Sequence, residues 1–126
     1  MTINYNFAFP ATTGTLWAYR PDLGEVDRGI SVAAGTNPSI ATLDTEISGL
    51  FAVAFHGDNG NLWTLDPDLH LVDRGLNMAP GTSPSIIRLR DRLYAVAFHG
   101  GNGSLWTMDP DLHAVDRRLG MASGTS

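Results

Sequence analysis

The sequence predicts an all-β protein made of three copies of one sheet-forming repeat. The stretch 52–65, AVAFHGDNGNLWTL, returns at 95–108 as AVAFHGGNGSLWTM and, more faintly, at 7–17. No long window has apolar residues at helical spacing, whereas β-branched and aromatic residues crowd the candidate strands. Each copy reads as two short strands around a turn rich in Gly and Asn, because these residues tolerate the positive φ of hairpin turns.

The repeats have a regular period. Trp17, Trp63 and Trp106 are separated by 46 and 43 positions, and the Asp-Arg pairs that begin at 27, 73 and 116 have the same spacings. Residues 51–83 and 94–126 are identical at 25 of 33 positions, so the last two copies are the most alike. We place the repeats at 1–37, 38–83 and 84–126. Periods of roughly 20 to 50 residues indicate solenoids, propellers or other closed arrays.

The third repeat shows its elements most clearly. Its four predicted strands are 85–89, 93–98, 105–108 and 114–119. Tight turns join them, and Pro110 fixes φ at the second position of the last turn. The segment 78–84 is too rich in Pro and Gly to pair in a sheet, so it links one repeat to the next. Each repeat is therefore an up-and-down meander of four strands.

The second strand of the second repeat is apolar on both faces. Phe51, Val53 and Phe55 lie on one face, and Ala52 and Ala54 lie on the other. This pattern favours a sheet packed on both sides, with a neighbour approaching closely over the alanines. A four-stranded meander of about 43 residues buried on both faces is what a β-propeller blade needs.

The alternative is a β-trefoil, which also has three units of about this length with four strands each and would close as a monomer. The propeller is favoured because tight turns join all four strands in sequence. The Gln-x-Trp signature that is usual in trefoils is also missing from the chain.

Three segments carry a family resemblance. The strings 78–86 (MAPGTSPSI), 96–99 (VAFH) and 103–106 (GSLW) resemble tandem β-propeller repeats common in actinobacterial secreted or multidomain proteins. They are similar, more loosely, to blades of tachylectin-2-type propeller lectins. The resemblance covers nearly the whole chain, and it implies recognition of a sugar in pockets between adjacent blades.

Three blades are too few to close a ring, because known propellers have four or more. Each open end would expose an apolar face too large for a soluble monomer. We therefore expect a homo-oligomer, most simply a two-chain, six-bladed ring joined head to tail. Since Phe9 aligns with Phe55, the first repeat begins at its second strand. Either residues 1–5 replace the missing strand, or the chain is a fragment or an engineered part of a longer array.

Composition excludes several classes of partner. The chain has 13 acidic residues against 8 basic ones, a formal charge of −5, so we predict no nucleic-acid binding. No apolar run approaches the roughly 18 to 20 residues of a membrane span, and residues 1–4 lack the start of a signal peptide. We expect no membrane insertion, and either a cytoplasmic chain or the mature or excised part of a secreted one.

The three Trp residues are candidates for sugar contact, because the apolar C–H face of a pyranose stacks on an aromatic ring. Trp63 and Trp106 are the better candidates, and Trp17 is the third. However, Trp63 shares its strand face with Leu65, and Trp106 shares its face with Met108. A role in the core between blades is therefore an equally open interpretation.

His56 and His99 end the second strand, and Asn59 and Asn102 follow three residues later. Imidazole and carboxamide groups both donate and accept hydrogen bonds, which suits sugar hydroxyls. The alternative is that Asn supplies turn geometry and His caps the hairpin. Pro10 replaces the His in the first repeat, so we expect two good sites per chain.

No enzyme is predicted, because every candidate catalytic side chain is copied between repeats, whereas an active site needs different residues in different roles. The chain has no Cys. The acidic turns do not match a calcium loop, so we predict no metal and no cofactor. The predicted function is a multivalent carbohydrate-binding lectin. The alternative is a structural or protein-interaction propeller fragment, natural or engineered, that binds no sugar.

Overall fold

The computed structural model of the chain describes residues 7–10, 14–20, 24–44, 50–66, 70–90, 93–111, 113–123 and 125–126. Within these residues the protein is all-β, with eleven strands in three antiparallel sheets and no helix. The predicted all-β class is confirmed. The same residues contain no helix with the length and hydrophobicity needed to cross a membrane.

The strands of each sheet come from one repeat and are paired in sequence order. The first sheet contains β1 (Phe7–Pro10), β2 (Thr15–Arg20) and β3 (Gly24–Ser31). The second contains β4 (Ser39–Asp44), β5 (Leu50–His56), β6 (Asn61–Leu65) and β7 (Leu71–Asn77). The third contains β8 (Ser85–Arg88), β9 (Tyr94–His99), β10 (Ser104–Met108) and β11 (Ala114–Gly120). By sequence register β1 corresponds to β5 and β9, which are the second strands of their sheets. Residues 1–5, which were expected to replace the missing first strand, lie outside the described part of the chain.

The last two strands of each sheet share a β-bulge that depends on a left-handed residue. Pairing between β6 and β7 shifts register between Asn61 and Trp63, and Gly75 opposite this point has φ 68°. The third sheet has the same shift, but Arg118 occupies the glycine position at φ 57°. Glycine adopts this conformation without steric cost, whereas an arginine Cβ crowds its own backbone there.

Each sheet has two faces of different size. We call the face that carries Phe51, Val53 and Phe55 in the second sheet the bulky face, and the face that carries Ala52 and Ala54 the small face. All five residues are buried. The same alternation along β9 puts Val96 and Phe98 on the bulky face of the third sheet.

The bulky face of one sheet packs on the small face of the sheet before it, which forms two separate cores. The first core joins the first two sheets and contains Leu16, Val32, Phe51, Val53, Phe55 and Leu65. The second core joins the last two sheets and contains Ala41, Leu43, Ala52, Ala54, Leu62, Met78, Ile86, Tyr94, Val96, Phe98 and Met108. Each large apolar side chain buried there contributes about 1.5–3 kcal/mol, so these junctions are the main source of stability.

Backbone hydrogen bonds join each sheet to the next. After β3 the chain crosses to the second sheet, where the Ala33 amide donates to the His56 carbonyl at 2.8 Å. After β7 the Ala79 amide donates in the same way to the His99 carbonyl at 2.9 Å. The linking segments therefore lie across the sheet that follows.

A polar cluster also crosses the junction between the second and third sheets. The Tyr94 hydroxyl donates to Asp66 Oδ1 at 2.9 Å, and Arg74 Nη2 donates to the same oxygen at 2.9 Å. Arg74 Nε donates to the Thr64 hydroxyl at 2.8 Å. Burial, the charge of Asp66 and the hydrogen bond to that carboxylate raise the pKa of Tyr94 from its ordinary 10.0 to about 12.

Replacing Tyr94 with Phe tests this cluster. The hydroxyl bonds a carboxylate, so Tyr94→Phe is expected to lower the free energy of unfolding by about 1–3 kcal/mol at neutral pH. The raised pKa stabilises the protonated phenol in the folded state, so this contribution is full below pH 10.0 and is lost as the pH rises towards about 12. Urea unfolding at pH 8 and at pH 11 measures both effects, and the variant should lose less stability between them. If the unmodified chain and Tyr94→Phe lose the same free energy of unfolding between pH 8 and pH 11, the assignment of the raised pKa to Tyr94 is wrong.

Candidate functional site

The turn between β5 and β6 is held by one asparagine side chain. Asn59 Oδ1 accepts from Trp63 Nε1 at 3.0 Å and from the Asn61 amide at 3.1 Å. Asn59 Nδ2 donates to Asp73 Oδ2 at 2.9 Å. Both ends of this carboxamide are therefore occupied, and the indole N–H has its partner inside the same sheet.

The third sheet repeats the arrangement. Asn102 Oδ1 accepts from Trp106 Nε1 at 3.1 Å and from the Ser104 amide at 3.1 Å, while Asn102 Nδ2 donates to Asp116 Oδ2 at 2.9 Å. The two turns thus use the same hydrogen bonds, although Asp58 in one is replaced by Gly101 in the other.

Each of these tryptophans also packs between an aromatic ring and the backbone. Phe55 and Trp63 are stacked with ring centroids 6.2 Å apart, and Phe98 and Trp106 have the same separation. A Cβ added at Gly57 or Gly100 would overlap the indole ring, so a glycine is required at each turn for this close approach.

Trp17 has a different partner. Its Nε1 donates to the Thr15 hydroxyl at 3.2 Å, and its ring stacks on Phe9 at 6.5 Å. Thr13, which takes the place of the turn Asn in the first repeat, lies outside the described residues.

The two aspartates that orient the asparagines are held in their ionised form. The Gly75 amide lowers the pKa of Asp73; burial opposes this, and hydrogen bonds from Asn59 and Asn61 add to it. The Arg118 amide is likewise the main cause of the lowered pKa of Asp116. Arg74 forms an ion pair with Asp66 rather than with its sequence neighbour Asp73. Asp73 and Arg74 therefore have different partners.

The two histidines lie on the opposite face from the tryptophans of their own sheets. The His56 ring bonds through Nδ1 to the Thr82 carbonyl at 2.8 Å, and His99 bonds the Thr125 carbonyl at 2.7 Å. A carbonyl only accepts, so Nδ1 of each ring donates the hydrogen in this bond. Each ring therefore anchors the linking segment that follows its own sheet.

A groove of about 420 Å³ lies beside His99. It is bounded by the segment that follows β7, by the turn between β9 and β10, and by the segment that follows β11. Its lining residues are Ala79, Pro80, His99, Gly101, Gly103, Met121 and Ser123. Small and apolar walls with a few polar groups, in a volume within the usual range of about 300–1,000 Å³, are typical of small-molecule sites.

The groove includes one of the predicted ligand residues, His99. Trp63 and Asn59 form one cluster and Trp106 and Asn102 form another, each within a single sheet. His56 is buried against Thr82. The linking segments also contribute walls to the groove, and the one sequence signal for them is the repeated Met-Ala-x-Gly-Thr-Ser string at 78–83 and 121–126.

No protein-family model matches the chain, and no curated protein matches it in sequence. Within the described residues, no group of three or more His, Asp or Glu side chains is arranged to hold a metal ion.

Two neighbouring glycines test how the turn positions Trp106. In Gly100→Ala the new Cβ overlaps the indole ring, so the ring must move away from Asn102. We expect a loss of about 1–3 kcal/mol in the free energy of unfolding, as for other overpacked sites, and a shift in tryptophan fluorescence.

Gly101→Ala is the matched control. Its Cβ meets only the flexible Asn77 side chain, and the sister repeat already has Asp58 there. We expect a change within about 0.5 kcal/mol. If Gly100→Ala and Gly101→Ala lower the free energy of unfolding equally, the loss comes from placing a side chain in this turn and not from contact with the indole ring.

Proposed function

We propose that the protein is a carbohydrate-binding lectin whose sheets are blades of a β-propeller, with the ring closed by a second copy of the chain. The groove beside His99 is the proposed sugar site. The observation that supports it best is the position of this groove, at the junction between two repeats, where the family resemblance implies a sugar pocket.

The separation of the two cores supports the propeller over the trefoil. One core joins the first and second sheets and the other joins the second and third. Neither core contains residues of both the first and third sheets, whereas a trefoil would bring its three units together around one centre. Strands β4 and β8, the first strands of their sheets, also pack against each other, as the inner strands of blades do.

The chemistry of the groove suits a monosaccharide. Ala79, Pro80 and Met121 offer an apolar surface to the C–H face of a pyranose ring. The His99 imidazole can form a hydrogen bond with a sugar hydroxyl, and the Ser123 hydroxyl can donate or accept one. In this proposal the tryptophans shape the turns behind the groove rather than stacking on the sugar.

The preceding junction has an equivalent set of residues with three informative changes. By sequence register Asp58 replaces Gly101, Pro80 replaces Ser123 and Ala34 replaces Pro80. A carboxylate can accept two hydrogen bonds from neighbouring hydroxyls, so we expect the two sites to differ in sugar preference. Weak sites repeated on one assembly gain avidity by geometry.

The alternative is a structural or protein-interaction propeller fragment. One observation favours this alternative: the turn tryptophan and asparagine form a hydrogen bond with each other inside the second sheet and again inside the third. A role that needs only a stable repeat explains these bonds without any ligand.

A larger side chain placed in the groove distinguishes the sugar-binding function from the structural or protein-interaction alternative. Ser123 is an exposed wall residue, so Ser123→Phe should occupy the groove without disturbing the fold. On an immobilised glycan array, the unmodified chain is expected to bind, and the variant to bind at least about tenfold more weakly, a loss of about 1.4 kcal/mol.

His113→Phe is the control, because this side chain is 80% exposed between β10 and β11 and adds a ring of similar size outside the groove. It should bind as the unmodified chain does. An array without signal at high concentration of folded protein would reject the sugar-binding proposal in favour of the alternative.

A further inference from the structure

We propose, on the basis of this sugar-binding function, that the Asn77 carboxamide is a further ligand-binding group of the groove beside His99 and that the groove takes uncharged sugars. Asn77 is the last residue of β7. The sequence does not single it out, because the residue at this position changes from Ser31 to Asn77 to Gly120 across the three repeats. Its importance comes from its contact with a glycine of the next sheet.

The turn after the second strand contacts the preceding sheet in the same way at both junctions. The Asp58 amide donates to the Ser31 carbonyl at 3.0 Å, and the Gly101 amide donates to the Asn77 carbonyl at 2.9 Å. Because the backbones match, a side chain at position 58 and a side chain at position 101 would leave the turn at equivalent points.

The Asn77 side chain occupies the space that a side chain at position 101 would need. A Cβ added at Gly101 would overlap Asn77 Nδ2 and would lie 3.0 Å from its Cγ. At the preceding junction Asp58 has its own Cβ at this point, and the smaller Ser31 corresponds to Asn77. Each junction therefore has one large polar side chain here, which comes from the turn in one case and from the preceding sheet in the other.

This position puts the carboxamide beside the groove. Gly101 and Gly103 both line the groove, and Asn77 Nδ2 lies against Gly101. On the other side, Asn77 Oδ1 would be 3.5 Å from a Cβ added at Gly60, so the carboxamide lies between the turns of two adjacent sheets. Asn77 is exposed. Its Nδ2 can therefore donate to one sugar hydroxyl while its Oδ1 accepts from another.

The charge around the groove favours an uncharged sugar. Among the described residues that line it, none is an Asp, a Glu or an Arg. The carboxylate of an acidic sugar would find no fixed cation there, in a chain whose formal charge is −5. A carboxamide adds hydrogen-bonding capacity without adding charge, so Asn77 improves the fit to hydroxyls and leaves this preference unchanged.

The preceding junction should prefer a different ligand charge. Asp58 provides a carboxylate where the groove beside His99 has the neutral carboxamide of Asn77. A carboxylate attracts the protonated amine of an amino sugar, whereas a carboxamide does not. The residues at positions 77 and 101, compared with those at 31 and 58, therefore set the charge of the sugar that each junction accepts.

Nuclear magnetic resonance tests the contact directly. The side-chain NH2 signal of Asn77 is identified by its loss in Asn77→Ala. The uncharged probes are the methyl glycosides of glucose, galactose and mannose, and the acidic probes are the uronic acids of the same three sugars. At least one methyl glycoside is expected to shift the Asn77 signal together with the backbone amide of Gly103, which lines the groove. The uronic acids should shift neither signal at the same concentration.

The Gly103 amide also reports how much Asn77 contributes to affinity. Asn77→Ala should bind the methyl glycoside about three- to tenfold more weakly, as expected for the loss of one hydrogen-bonding group. Asn37→Ala is the matched control, because it removes another exposed carboxamide that lies outside the groove lining. It should bind as the unmodified chain does. Equal affinities in the three chains would overturn the assignment of Asn77.

Exchanging the pair of residues tests the preference for charge. Asn77→Ser with Gly101→Asp gives this junction the side chains of the preceding one, so the carboxylate is introduced and the space that it needs is made. Relative to the methyl glycosides, the 2-amino derivatives of the same sugars are expected to gain at least about tenfold in affinity at Gly103. Circular dichroism confirms that the variant is folded. An unchanged ratio of the two affinities would contradict the role of this pair.

Failure of the sugar-binding function gives a different result from failure of the Asn77 assignment. A methyl glycoside that shifts the Gly103 signal but not the Asn77 signal would show that the groove binds sugar without Asn77. Uronic acids that bind as well as the methyl glycosides would overturn the assigned ligand charge. A positive glycan array with no shift at either residue would place the sugar elsewhere and overturn the inference alone. A silent array with no shift at either residue would reject the sugar-binding function itself.

Discussion

The structure depends on the contact between a bulky face and a small face. In the second sheet Phe51, Val53 and Phe55 lie on one side of β5 and Ala52 and Ala54 lie on the other, so the two sides of the sheet differ in size. Large rings such as Phe98 can pack over the alanines of the preceding sheet because those alanines leave room for a close approach. Neither face is buried by its own sheet, and the second sheet is covered on one face by the first sheet and on the other by the third.

The turns and linking segments are built around these contacts. Asn59 fixes Trp63 in its own turn, while His56 on the other face anchors the segment that leads to the next repeat. That segment then crosses the following sheet, where its alanine amide bonds a histidine carbonyl. The groove beside His99 arises where such a segment, a glycine-rich turn and the next segment meet. The groove is therefore a consequence of how the second and third repeats are joined.

The sequence predicted the all-β class, the repeats and the two-sided strands, because these follow from period, turn residues and the alternation of Phe with Ala. It also identified Trp, His and Asn as the distinctive polar and aromatic side chains of each repeat. It did not predict that Trp63 and Asn59 bond each other, since this depends on a bulge and on the space left by Gly57. Nor could it place Ala79 and Pro80 beside His99, because long-range pairing of a linking segment leaves no local pattern. Arg118 in a left-handed conformation likewise follows only from alignment with Gly75.

We propose that a sheet of this chain is stable only when both of its faces are covered. The most direct measurement is the molar mass of the unmodified chain in solution by light scattering over a wide range of concentrations. We expect twice the chain mass of 13.5 kDa, with no larger species. A folded species at the single-chain mass across the whole range would contradict it.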